Sequence, residues 1–461
     1  MAIRPALALL VGFVGAARMA CAQADRAQAD SAGADASQPA SSPQQFDPLR
    51  GMDASGRIPK KKLPDDIPNP ERWRYTPEGR LKPGNVFERF LVSSFVTPIV
   101  FKEKDVGTGG GFALTDINFR DTRMREFANV VASQTTEGQE SYRGVWRYWI
   151  HHRDLPDGGI IREERSTITA RAGFERTLTR RFYGLGSGTT KDDESSYTDE
   201  EAFAGVDARL TLPDPGSDWV VGFGIGVEHH NLMRGRVTGI PSTHQAYGRI
   251  FRESDDIDAL FVAPSIRYDT RDSQANPYRG WTVGLRYDAA PFQTAGRSGG
   301  VATADGSFAV PLPPLLHDGG DSLEENPPTD TFGVGAFLQQ TSGNLPFYDL
   351  PSLGGSSTLR GFVNNRFTDR AAWHASAEYR FWPVPRGFAI TDSVRIERVG
   401  LALFYDVGTV ASDLGQLGHA TIHDSYGAGL RIGFAREAIF RLDLGYSDEG
   451  SNFSIAFGLS F

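Results

Sequence analysis

The chain has 461 residues, a formal charge of −9 and one cysteine, Cys21. The acidic balance argues against nucleic-acid binding, and a lone cysteine excludes a disulfide scaffold. No stretch approaches 18 consecutive apolar residues, so a transmembrane helix is excluded; what remains is a soluble exported protein or a β-barrel, because only helices and closed barrels satisfy backbone polar groups in lipid.

The first element is a targeting segment. Arg4, the apolar run Ala6–Ala17 and the small residues Ala20, Ala22 and Ala24 read as a signal peptide over residues 1–22, cleaved after Ala22 or Ala24. Cleavage removes Arg4 and Arg18 and leaves a charge of −11. The alternative is a lipid anchor on Cys21, but Arg18 sits where such a motif wants an apolar residue. Residues 23–94 follow as a leader rich in Ala, Gln, Ser, Asp and Pro, with Lys60, Lys61 and Lys62 as a small basic cluster. Low apolar content and frequent proline predict a disordered periplasmic segment, with Trp73, Tyr75 and Phe87 as residues able to pin its end.

From Gly107 the pattern changes to period two. Val221, Phe223, Ile225 and Val227 alternate with glycine; Leu260, Val262, Ile266 and Tyr268 alternate with Ser265, Arg267 and Asp269. Trp281, Val283, Leu285 and Tyr287 alternate with Thr282, Gly284, Arg286 and Asp288. Near the end, Leu430, Ile432 and Phe434, then Phe440, Leu442, Leu444 and Tyr446, oppose Arg431, Arg441 and Asp443. The last strand sets Phe453, Ile455, Phe457, Leu459 and Phe461 against small polar residues.

Alternation alone also fits a soluble sandwich with one wet face. Bilayer-spanning strand length, charges beside glycine on the polar faces and aromatics near strand ends favour a membrane barrel. Five strands are expected after residue 370, at about 371–382, 398–408, 424–434, 438–447 and 452–461. Ten precede it, with an eleventh at 243–251. The expected fold is all-β: an antiparallel transmembrane barrel of sixteen strands over residues 95–461 with a lumen-inserted extracellular loop, the even number following the rule for single-chain barrels.

Between the two sets of strands lies a Gly- and Ser-rich loop carrying Arg360 just before Gly361 and Phe362. The strand after it places Ser376, Glu378 and Arg380 on one face, and Leu401–Val407 puts Asp406 on its polar face. One loop arginine and two strand carboxylates on a polar interior predict a loop folded into the lumen and tethered there. A guanidinium presents five donors in a rigid fork and suits two carboxylates at once. Gly354, Gly355 and Gly361 permit tight backbone turns beside it. Anchoring the loop and taking part in a mechanism both remain open readings of this set.

Other candidates are weaker. His151-His152 and His229-His230 are adjacent pairs that face opposite sides of a strand, so neither chelates a metal jointly, and surface histidines are the simpler reading. His423-Asp424-Ser425 cannot form a triad from consecutive residues, and Gly296-Arg297-Ser298-Gly299-Gly300 spells G-x-S-x-G without a helix pattern after it. The acidic run from Asp192 to Glu201 reads as a solvated loop, with divalent-cation binding a bare possibility. No enzymatic activity, cofactor or metal is expected.

The ordered set of motifs resembles a known family. Leu353-Gly354-Gly355 with Leu359-Arg360-Gly361-Phe362 is similar to the lumen-tucked sixth extracellular loop of the BamA/TamA-type outer-membrane assembly superfamily, the bacterial surface antigen family. Ala377-Glu378-Tyr379-Arg380-Phe381 and Phe404-Tyr405-Asp406-Val407-Gly408 resemble that family's next two strands. Asp269-Thr270-Arg271-Asp272 with Pro277 and Gly280, and Tyr183-Gly184-Leu185-Gly186, resemble its turn motifs. The likeness spans about 95–461. It implies a Gram-negative outer membrane, lipid and a client polypeptide as partners, and Phe457, Leu459 and Phe461 as the signal read by the barrel-assembly machinery. Members that insert or export proteins carry periplasmic POTRA domains. Residues 25–106 have room for one at most, and their proline-rich composition argues against it. The resemblance therefore implies help in outer-membrane protein assembly, or polypeptide or lipid passage, without covalent chemistry. The alternative is a structural barrel or narrow diffusion pore with no client. A weak first-to-last-strand seam offering an unpaired edge is the expected device, with Gly109-Gly110-Gly111 at the start of the first strand and a short last strand.

Overall fold

The computed structural model describes residues 57, 59–76, 94–103, 105–116, 125–156, 159–250, 256–294, 297–389, 395–434 and 438–459. The signal segment, Phe87, Gly296, Ser460 and Phe461 lie outside these residues.

Among the described residues, sixteen strands form one antiparallel meander. The first eleven are β1 (Ser94–Glu103), β2 (Gly107–Asp116), β3 (Glu126–Thr135), β4 (Glu140–Trp149), β5 (Thr167–Phe182), β6 (Ser195–Leu212), β7 (Trp219–Arg234), β8 (Asp256–Asp269), β9 (Gly280–Gln293), β10 (Arg297–Leu312) and β11 (Asp330–Gly343). Five follow the loop: β12 (Ala371–Val384), β13 (Arg395–Ala411), β14 (His423–Phe434), β15 (Ala438–Ser447) and β16 (Gly450–Phe457). Each pairs with the next, and the sheet closes into a barrel. Among the described residues no register joins β1 to β16.

Period two sorts side chains by face, and the barrel settles which face is wet. Phe223, Ile225 and Val227 on β7 and Val283 and Leu285 on β9 point outward and are at least half exposed, Leu285 to 60%. A soluble sandwich would bury them; a belt of this kind is what lipid covers. Trp219, Tyr268 and Trp281 pack edge-on and tilted against one another on the outer surface, with ring centroids 5.1 and 5.3 Å apart, as an aromatic girdle does. The lumen side is paired charge: Arg267 donates to Asp305 at 2.7 Å and Arg286 to Asp288 at 2.8 Å.

Three expectations are corrected. In place of the strand expected at 243–251, the described residues 243–250 hold a short helix, Thr243–Tyr247; the Gln245 side chain accepts from the Ser242 N–H, closing a capping box at the spacing Ser-x-x-Gln. The eleventh strand before the loop is found elsewhere. Gly109-Gly110-Gly111 lies on β2, one strand in from the seam, because Ser94–Glu103 already forms the first strand.

The third correction concerns the leader, which is folded over 59–76. Trp73–Thr76 pairs with Ile160–Glu163, which pairs with His152–Asp154, making a three-stranded sheet on the β4–β5 connection. Ile67, Leu155 and Ile161 form a small buried core under it, with Leu63, Trp73 and Tyr75 packed against them. The aromatic and branched residues among the prolines thus bury enough surface to order the segment. Arg72 donates to the Thr270 carbonyl at 2.9 Å and to that of Arg271, in the β8–β9 turn. Arg165 holds the Asp269 and Arg271 carbonyls at 2.6 and 2.7 Å. Further back, Arg57 pairs with Asp321 at 2.9 Å in the β10–β11 connection. An Arg153 hydrogen bond holds the exposed Asp66 carboxyl below its ordinary range. The leader therefore lies against the turns at one end of the barrel.

Candidate functional site: a loop clamped inside the barrel

Residues 344–370 leave β11 and fold back into the lumen. Gly354 and Gly355 take φ values of +117° and +90°, a region open to glycine and strained for other residues. Behind that turn Leu353, Leu359, Phe362, Phe367, Ala372 and Val410 bury together as a small apolar core joining loop to wall. Core and turn leave Arg360 fully buried, aimed at the inner faces of β12 and β13.

Arg360 makes a five-point contact. Its Nε and Nη2 donate to the two Asp406 oxygens at 2.9 and 2.8 Å, and its backbone N–H to Asp406 Oδ2 at 3.1 Å. Nη1 donates to Glu378 Oε2 at 2.7 Å and Nη2 to Ser376 Oγ at 3.1 Å. The guanidinium lies 3.5 Å from the centre of the Phe404 ring. Asp406 is further held by the Ser376 hydroxyl at 2.7 Å.

The sequence reading missed the rest of this cluster. Arg431 on β14 donates to both Glu378 oxygens, at 3.2 and 2.7 Å, and to Asp443 at 2.6 Å. Arg441 donates to the other Asp443 oxygen at 2.9 Å. Three guanidiniums and three carboxylates interlock, with a fourth guanidinium, Arg380, 3.9 Å from Glu378, so each buried carboxylate faces at least one cation, which is what allows so many ions to be buried together. Period-two alternation already put Arg431, Arg441 and Asp443 on the wet face. Cross-strand register, which unites β12 through β15 at one height, was the missing information.

The loop backbone is fixed as closely as its side chains. A Cβ on Gly361 would lie 2.6 Å from the Tyr446 carbonyl oxygen, and one on Gly445 would lie 2.5 Å from that of Arg360. Two glycines thus let the loop touch β15 directly. Asn452 on β16 donates to the carbonyls of Arg360 and Phe362 at 3.1 and 2.9 Å, and Ser447 to that of Gly361 at 3.1 Å. Nearer the barrel end Arg366 grips Glu449 in the β15–β16 turn at 2.6 Å and the Thr189 carbonyl at 2.8 Å. Its guanidinium also stacks on Tyr183 at 4.4 Å. The loop tip is fastened to the last five strands.

Other sequence candidates fall elsewhere. His423 stacks on Phe367 at 3.7 Å and bonds the Ser187 carbonyl, far from a triad geometry. Ser298 opens strand β10 and is no nucleophile elbow. Leu459 packs on the buried Tyr278, Trp382 and Ile439. His229 faces outward with Asp258 at 2.8 Å, but His230 is a correction: it is buried in the lumen with its Nδ1 3.0 Å from Asp199. Asp199 and Glu201 likewise lie on β6 and not in a solvated loop.

The Omp85 superfamily domain matches residues 157–461, about two thirds of the chain. The chain belongs to the Omp85 superfamily. It is an outer-membrane β-barrel. Among solved structures it is similar to BamA from Haemophilus ducreyi lacking POTRA domains 1–3, at 16% identity and a TM-score of 0.45 over 79% of this chain and 68% of that one. It is also similar to CdiB from Escherichia coli, at 12% identity and 0.45 over 79% of this chain and 61% of that one. CdiB from Acinetobacter baumannii matches at 13% identity and 0.43, over 79% and 59% of the two chains. No curated protein matches the sequence.

Proposed function

We propose that this barrel assists the assembly of outer-membrane proteins, or the passage of a polypeptide or lipid, by non-covalent guidance and without a cofactor. The observation that carries the reading is the clamp. A loop fills the lumen and is fastened by Arg360, Asn452 and Arg366 to β12–β16, the strands that end at the seam. A change at the seam would be felt by the loop, and release of the loop would loosen the seam. An open diffusion pore has no use for such a coupling. On this reading residues 1–22 are removed on export, and Phe457, Leu459 and Phe461 carry the signal for the chain's own insertion. The folded part of the leader sits on the periplasmic turns, where a client would arrive.

A deletion strain tests the proposal. Selective depletion of particular outer-membrane proteins or lipids, restored by the wild-type gene, supports it. Changed small-solute uptake with a normal protein and lipid profile would instead identify a narrow pore, and an unchanged strain a structural barrel.

A further inference from the structure

A second ionic cluster sits in the lumen, on the far side of the loop from Arg360. Asp199 and Glu201 project inward from β6, and His230 from β7. One ligand atom of each lies within 4.8 Å of the others, and Asp199 and His230 are 4% and 6% exposed. His230 Nδ1 is taken by Asp199 at 3.0 Å, while Nε2 faces Glu228 Oε2 at 3.8 Å. That gap is too long for a hydrogen bond. It suits two ligands of one ion, since groups each about 2.0–2.2 Å from a metal stand up to roughly 4 Å apart.

The loop closes the cluster. Tyr348 lies over His230 with ring centroids 4.6 Å apart, and the next residue, Asp349, lines with Glu228 a cavity of about 230 Å3. Arg180 stands 3.8 Å from Asp199 and 3.9 Å from Glu201, and Arg171 and Arg286 line the same cavity as Glu228 and Asp349.

We infer that Glu201, Glu228 and His230, with Asp349 from the loop, form a divalent-cation site of the Zn2+ or Mn2+ class. Asp199 orients the imidazole through Nδ1 and leaves Nε2 for the ion. An imidazole among carboxylates selects a first-row ion over Mg2+ or Ca2+. The bound ion staples the base of the loop to β6–β7, opposite the wall that Arg360 grips. The cavity lined by Glu228 and Asp349 gives the ion its path. The adjacent histidine, His229, is outside the barrel and takes no part.

The test uses the full chain without a histidine tag, stripped of metal in detergent at pH 7.5 and titrated calorimetrically with Zn2+ and, separately, Mn2+, with Mg2+ for comparison. The expected result is one equivalent of Zn2+ or Mn2+ bound with a Kd of about 10 µM or tighter. His230→Gln and Glu201→Gln should each weaken it by at least about tenfold, while His229→Gln leaves it unchanged. Zn2+ should also slow proteolysis of the 344–370 loop in the native chain and fail to do so in Asp349→Asn. Heat-modifiable gel migration confirms that each variant is folded. No binding at 100 µM Zn2+ or Mn2+ (about tenfold above the expected Kd), equal loss in His229→Gln and His230→Gln, or equally tight Mg2+ binding would overturn the assignment.

Discussion

Replacing Arg360 by alanine removes one cation from this buried cluster, and the geometry says where the loss falls. Glu378 keeps both of its contacts to Arg431, at 3.2 and 2.7 Å. Asp406 loses its guanidinium and is left with hydroxyls and the loop N–H. A buried carboxylate is then left without its cation in a closed interior. Breaking a buried pair costs about 3–5 kcal/mol, and the retained hydroxyls and any lumen water should bring Arg360→Ala to the lower end, about 3 kcal/mol. Arg360→Lys should recover only part of this, because an ammonium cannot address both Asp406 oxygens and Glu378 in one plane. Urea unfolding in detergent, followed by tryptophan fluorescence, supplies the free energies for a double-mutant cycle with Asp406→Asn and a second with Glu378→Gln. The coupling to position 406 should be about 2 kcal/mol, and clearly larger than that to 378. Additive effects at 360 and 406 would refute the clamp as drawn.

Other outcomes follow from the same geometry. Gly361→Val sets a branched side chain against the Tyr446 carbonyl and should displace the loop, lowering stability by at least about 2 kcal/mol and exposing 356–365 to protease. Deleting Phe461 should reduce membrane insertion and lead to periplasmic degradation while export continues; normal surface levels would count against the terminal strand as an assembly signal. Ile67→Asp places a charge in the core under the leader sheet and should free residues 57–76 to proteolysis, leaving heat-modifiable migration of the barrel unchanged. Circular dichroism of the folded chain should be dominated by β structure, and a large helical signal would contradict the barrel.

The barrel was legible because alternation is a local signal. The five strands expected after the loop coincide within a few residues with those found, from Ala371–Val384 to Gly450–Phe457. Arg360, Glu378 and Asp406 stood out because each is a charge on a face of known polarity beside a distinctive loop. Arg431, Arg441 and Asp443 were on the right face but could not be assigned partners, since which charges meet depends on stagger between strands. The helix at Thr243–Tyr247 was missed although Ser242 and Gln245 carry the capping spacing; a five-residue helix has too few positions to show a period. The leader was misread because composition averages over 23–94, whereas order at 59–76 rests on a few residues, Leu63, Ile67, Trp73 and Tyr75, that find Leu155 and Ile161 far along the chain. His230 was judged by its neighbour, yet strand alternation puts the two histidines in different solvents.

Single-cysteine labelling on intact cells tests the central claim, that the loop is held inside the barrel by Arg360, most directly. In a chain carrying Cys21→Ser, a cysteine at Leu359, fully buried under the clamp, is compared with one at Leu414, 45% exposed on the neighbouring outer loop. A membrane-impermeant maleimide should label position 414 within minutes and leave 359 unmodified, and adding Arg360→Ala should bring 359 close to the rate at 414. Equal labelling of 359 and 414 with Arg360 intact would contradict the account.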